Sequence, residues 1–100
     1  MKILLICAAG MSTSILMKKM IKYAGEQGME LEIAAKGISE YEEICKDYDI
    51  LLLGPQISYQ RENIEKGSNK PVMVIAPYDY GVGNVENIFN QVKKVIPEKF

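Results

Sequence analysis

Histidine is absent from these 100 residues, and arginine occurs once, at Arg61. The first absence removes the usual general base, the commonest zinc ligand and the common nitrogen phosphocarrier. Nucleophilic chemistry is left to cysteine, aspartate or a hydroxyl. An excess of charge is missing too: 12 basic residues against 13 acidic give a net charge of -1. That balance leaves no electrostatic footprint for nucleic acid or an anionic membrane, so proteins or small molecules are the expected partners, with no nucleic acid among them. No apolar run approaches the ~20 residues that cross a bilayer, and Lys2 to Ile6 is too short for a signal-peptide core. The chain reads as cytoplasmic. Cysteine is sparse, with Cys7 and Cys45 alone; a reducing compartment and their different settings argue against a disulfide. With no metal-ligand cluster, acidic ribose-binding signal or flavin loop, neither a metal nor a cofactor is expected.

What is present suits one α/β domain over residues 1–100, since 48% hydrophobic content supplies a single core. Apolar runs with little alternation read as strands covered on both faces: Lys2 to Cys7, Leu31 to Ala35 before a break at Gly37, Asp49 to Gly54, and Val72 to Ala76 entered through Pro71. Helical patterns lie between them. From Ser12, one row carries Leu16, Met20 and Ala24 and another Lys18, Lys22 and Glu26, with Gly28 as the stop. Ser39 and Glu42 read as a capping box leading a helix that buries Tyr41, Ile44, Cys45 and Tyr48. Pro55 to Lys66 is a weaker helix stopped near Gly67-Ser68-Asn69. Val85, Ile88, Phe89, Val92, Val95 and Ile96 form the face of a last helix before Pro97. Four strands alternating with four helices predict a three-layer α/β sandwich with right-handed crossovers and chemistry at the C-terminal strand ends.

Three segments reach that edge: Cys7 to Ser14, Gly54-Pro55-Gln56, and Pro77 to Gly81. In the first, a thiol ends a strand and faces the N–H groups of the next helix, where a thiolate or a phosphate is stabilised. Gly10 permits a positive φ, so successive N–H groups can turn inward as an anion nest, and Ser12, Thr13 and Ser14 add hydroxyls. Each N–H on a charged phosphoryl oxygen contributes roughly 1.5 to 3 kcal/mol, so three or four hold a dianion without a lysine or arginine. A plain turn with a helix cap accounts for Gly10 and Ser12 but has no need of Cys7. Cys45 reads as a buried stripe residue. The methionines read as core, Lys18-Lys19-Lys22 and Lys93-Lys94 as solvated faces or a meeting place for an acidic partner. Asp79 reads as a helix-entry or turn residue, with a group facing the thiol site as the alternative, and Tyr59 and Tyr80 read as packing residues rather than ligands.

A cysteine heading a phosphate loop raises two classes. A low-molecular-weight cysteine phosphatase, or an arsenate-reductase-like enzyme, places a phosphate-clamping arginine six residues on. Here that position is Thr13, and Arg61 is far away in sequence. A phosphocysteine carrier needs backbone donors without a hydrolytic apparatus, which fits better. A flavodoxin-like binding module without catalysis is the third reading.

Cys7-Ala8-Ala9-Gly10-Met11-Ser12-Thr13-Ser14, Leu52-Leu53-Gly54-Pro55-Gln56-Ile57 and Tyr80-Gly81 together resemble the IIB component of the bacterial sugar phosphotransferase system, lactose/cellobiose (chitobiose) family, over essentially the whole chain. The resemblance implies a four-stranded parallel sheet of order 2-1-3-4 with helices on both faces. It implies that Cys7 takes phosphate from a histidine of the IIA component and gives it to a sugar bound by the membrane IIC component, so that the chain visits the inner membrane face through IIC. It also implies that the backbone of Ala8, Ala9, Gly10, Met11, Ser12 and Thr13 cradles the phosphoryl group. Family members often carry serine where this chain has Ala8, and the stretch before Tyr80 is less typical, so nothing catalytic passes to Asp79. A free-standing monomeric subunit is expected.

Overall fold

A computed structural model describes residues 1–8 and 13–99, with the side chain of Thr13 excepted. Strands β1 (Lys2–Cys7), β2 (Glu32–Gly37), β3 (Ile50–Leu53) and β4 (Val72–Val74) make one sheet of order β2-β1-β3-β4. All three pairings are parallel, with Cys7 opposite Gly37 and Ile6 opposite both Lys36 and Leu53. The α-helices are α1 (Thr13–Glu26), α2 (Arg61–Ser68), α3 (Pro77–Val82) and α4 (Val85–Val95).

The unbroken apolar runs of β1 and β3 arise because each strand face has its own core. Ile3, Leu5, Ile50 and Leu52 pack under α1 and α4 through Leu16, Met20, Ala24, Ile88, Phe89 and Val92. Leu4, Ile6, Leu51 and Leu53 pack on the other face with Tyr41, Cys45, Ile57 and Ile64. The result is the expected three layers. Strand bounds shift at the rims: β2 runs two residues further than the sequence suggests because Lys36 and Gly37 still pair with β1. β4 stops at Val74, although the Ile75 N–H still donates to the Leu53 carbonyl at 2.9 Å.

Gly28 ends α1 as expected. Its φ of 68° and the bond from the Met29 N–H to the Ala24 carbonyl, 2.8 Å, make a left-handed helix stop that favours glycine. Asn69, at φ 55°, ends α2 in the same way.

Three expectations need correction. Ser39 caps nothing: Tyr41–Glu43 and Cys45–Asp47 are separate 3₁₀ turns, and the first has no side-chain cap. Tyr41 and Cys45 are buried and Ile44 and Tyr48 half-buried, so the stripe is right and the helix is not. Tyrosine, isoleucine, cysteine and aspartate are weak helix formers, and the segment is shorter than the ~12 residues that sustain a helix alone, so packing shapes it instead. Pro55–Gln60 is also a 3₁₀ segment, bent where Ile57 (φ -117°, ψ 24°) leaves helical geometry to enter the core, and α2 follows only from Arg61. In α4, Val95 is 42% exposed. Non-helical backbone at Ile96 (φ -129°, ψ 63°) gives that residue the last buried place.

The N-terminal strand ends are tied by Asp49. Its Oδ2 accepts the Lys2 backbone N–H at 2.8 Å, and Lys99 Nζ lies 3.3 Å from Oδ1. The backbone bond, aided by Lys99, holds this carboxyl below its ordinary pKa against the opposing effect of burial. Among the described residues no helix is long and apolar enough to cross a membrane.

Candidate active site

Cys7 is the last residue of a central strand and is 3% exposed. Parallel pairing with Gly37 of β2 holds its backbone, and its Sγ lies 3.7 Å from the Lys36 carbonyl oxygen. Its own carbonyl accepts the Ile38 N–H at 3.2 Å. Ala8, exposed, leaves the strand, and Thr13 opens α1, whose first-turn N–H groups have no partners within the helix. Of the expected cradle, Ala9, Gly10, Met11 and Ser12 lie outside the described residues, and so does the anion nest assigned to them. α1 is described from Thr13, and the expected helix start at Ser12 lies outside the described residues.

The other two segments do meet at this edge. The Gly54 N–H donates to the Ile6 carbonyl at 3.1 Å, beside Cys7. A Cβ on Gly54 would stand 3.0 Å from Gln56 Oε1 and 3.6 Å from Cε2 of Tyr80. The Tyr80 ring thus lies beside the end of β3, at ordinary van der Waals range of a Cβ at position 54. Tyr59 is 76% exposed, in keeping with neither packing nor a buried ligand.

Sequence reasoning missed α3. Pro77 at its first turn and Gly83 at its end, with φ 70°, were the available signals. Asp79 stands in the first turn of α3, as the helix-entry reading expects, and is not aimed at the thiol in any contact described; it is 4% exposed, and its Oδ2 accepts Asn87 Nδ2 at 2.6 Å. Lys19, expected on a solvated face, runs its stem over Gly83. Together with Ile15, Leu16, Tyr80 and Gly81 these two residues line a cleft of about 210 Å³ between α1 and α3. A larger cleft of about 540 Å³ involves Met1, Tyr23, Met29, Phe89 and Lys93. It opens at the opposite end of the sheet, away from Cys7, and has no part in this site.

Cys45 is 5% exposed on the second core, with its Sγ 3.7 Å from the Glu42 carbonyl oxygen. Arg61 pairs with Glu65 at 3.0 Å.

In this strand order a buried cysteine at the C-terminal end of β1 leads into the start of α1. Residues 2–91 match the family model described as PTS system, Lactose/Cellobiose specific IIB subunit. The chain belongs to that family. As a IIB subunit it is 39% identical over 93 residues to the oligo-beta-mannoside-specific EIIB component of Bacillus subtilis (strain 168), covering 90% of each chain. The solution structure of the cellobiose-specific phosphotransferase IIB component from Borrelia burgdorferi superposes with a TM-score of 0.79 at 31% identity, covering 99% of this chain and 94% of that one. A 29% identical match spanning 68% of this IIB chain also occurs in the lactose-specific EIICB component of Lacticaseibacillus casei, where it makes up 12% of that protein.

Proposed function

We propose that this IIB subunit is a phosphocarrier: Cys7 accepts a phosphoryl group from a phosphohistidine of a IIA component and passes it to a sugar held by a membrane IIC component. The sulfur attacks phosphorus as the phosphorus–nitrogen bond breaks. A sugar hydroxyl oxygen then displaces the sulfur, its proton leaving to a base on the IIC side or to water. Donors on the backbone from Ala8 to Thr13 hold the phosphoryl oxygens between the two steps. The sugar is a β-glycoside of the cellobiose, chitobiose or lactose type, a class that the family description and the cellobiose-specific EIIB relative of Lactococcus lactis support. The EIICB relative, in which a IIB-like segment shares a chain with further sequence, supports IIC as the acceptor-bearing partner. The subunit works as a monomeric single domain at the cytoplasmic face of the membrane.

The observation that carries this reading is the place of Cys7, buried at the end of a central strand and followed by the start of α1. The phosphatase alternative lacks its clamp, because Thr13 stands six residues after the thiol and the one arginine is Arg61. Incubating the phosphorylated protein alone, and with IIC-containing membranes plus sugar, separates transfer from hydrolysis. The phosphoprotein is expected to persist alone and to discharge with IIC and sugar. Rapid loss in buffer, or turnover of an aryl phosphate, would overturn the carrier reading.

A further inference from the structure

We propose that Asp79 is a positioning residue for phosphotransfer, tying α3 to α4 so that Tyr80 is held against the strand edge that carries Cys7. The inference rests on Cys7 being the acceptor. Three hydrogen bonds close a ring between the two helices. Asn87 Nδ2 donates to Asp79 Oδ2 at 2.6 Å. The Asn84 N–H donates to the Asp79 carbonyl at 2.9 Å. The Asn87 N–H donates to Asn84 Oδ1 at 3.3 Å.

Packing alone does not explain a carboxyl group here. Asp79 is 4% exposed, and none of the ion pairs among the described residues includes it. Burying it against a neutral amide costs desolvation that an apolar side chain of similar size avoids. What the carboxyl adds is a directed bond. A six-residue helix does not hold itself in place, so its anchors decide its position. Residue 80 is the next along the chain, and its ring edge lies 3.6 Å from where a Cβ on Gly54 would stand, next to the N–H that is bonded to Ile6, the neighbour of Cys7. From the other side the Lys19 stem lies over Gly83 at the end of α3. A chain of neighbours therefore runs from Asn87 through Asp79 and Tyr80 to the edge of the acceptor strand.

The test compares wild type, Asp79→Leu, Asp79→Asn and Asn87→Ala for phosphorylation of Cys7 by phosphorylated IIA, with thermal melting of each. Asp79→Leu is expected to melt no lower than wild type, while its rate at saturating IIA falls about ten- to a hundredfold, the scale of a small misplacement at a reacting centre. The IIA concentration giving half the maximal rate should change little. Asp79→Asn keeps an oxygen for Asn87 and should recover most of the rate, whereas Asn87→Ala should behave like Asp79→Leu. Wild-type rates in folded Asp79→Leu and Asn87→Ala would overturn the proposal, as would an Asp79→Asn variant as slow as Asp79→Leu. If Asp79→Leu does not fold, Asn87→Ala and Asp79→Asn decide it on the same outcomes. Failure of wild type itself to take phosphate on Cys7 would instead remove the proposed function.

Discussion

Lys19 lies across Gly83: a Cβ on that glycine would stand 2.6 Å from Lys19 Nζ and 2.8 Å from its Cδ. Gly83 is also at φ 70°, so two constraints coincide there, whereas Gly28 at φ 68° has nothing within 4 Å of a Cβ. Gly28→Ala should cost about 1 kcal/mol from the left-handed backbone alone. Gly83→Ala should cost about the same, because the Lys19 atoms that its Cβ meets are the far end of an exposed, flexible side chain and swing aside. Urea unfolding measures both. Adding Lys19→Ala to Gly83→Ala should change the cost by less than about 0.5 kcal/mol. A Gly83→Ala cost well above that of Gly28→Ala, and removed by Lys19→Ala, would show instead that Lys19 is held rigidly over Gly83.

Asn84 and Ser39 should respond differently to loss of their side chains. Asn84 Oδ1 accepts the Asn87 N–H at 3.3 Å, so Asn84→Ala should lose about 1 kcal/mol. The first 3₁₀ turn after Ser39 has no side-chain cap, so Ser39→Ala should stay within about 0.5 kcal/mol of wild type. Thermal melts of both variants check the ranking, and a larger loss at Ser39 would reinstate the capping box.

Asp49 sets a pH dependence of known sign. Its folded pKa lies below the ordinary 3.8, first because of the Lys2 backbone bond and then through Lys99. The stability it contributes is therefore complete above the unfolded value and is lost as pH falls through the folded one. Asp49→Asn should be less stable than wild type at neutral pH, and the gap should narrow as pH drops below about 4. Unfolding free energies measured from pH 7 down to about 2.5 give the comparison. A gap that stays constant over that range would mean that charge plays no part in the tie.

The layering, both cores and the ends of α1 and α2 are legible in sequence because each is set locally: apolar runs where both strand faces are covered, a 3.6-residue row in α1, and Gly28 or Asn69 where the backbone turns left-handed. The strand order came from family resemblance, not from pattern, since nothing in a run such as Ile-Leu-Leu-Leu names its neighbour. The segment from Tyr41 to Asp47 misleads because its spacing reports burial, which a pair of 3₁₀ turns satisfies as well as a helix. At the site, Cys7 and the approach of Gly54 to Tyr80 could be anticipated, but the bond from Asn87 to Asp79 could not. It joins residues eight apart across a helix break, a distance at which no periodicity operates.

In the proposed relay one sulfur, that of Cys7, carries the phosphoryl group. Intact-protein mass spectrometry after incubation with phosphorylated IIA, on wild type, Cys7→Ser and Cys45→Ala, reads it directly. A single phosphoryl increment on wild type and on Cys45→Ala, absent from Cys7→Ser, is the expected result; an increment that survives Cys7→Ser at the wild-type yield would contradict it.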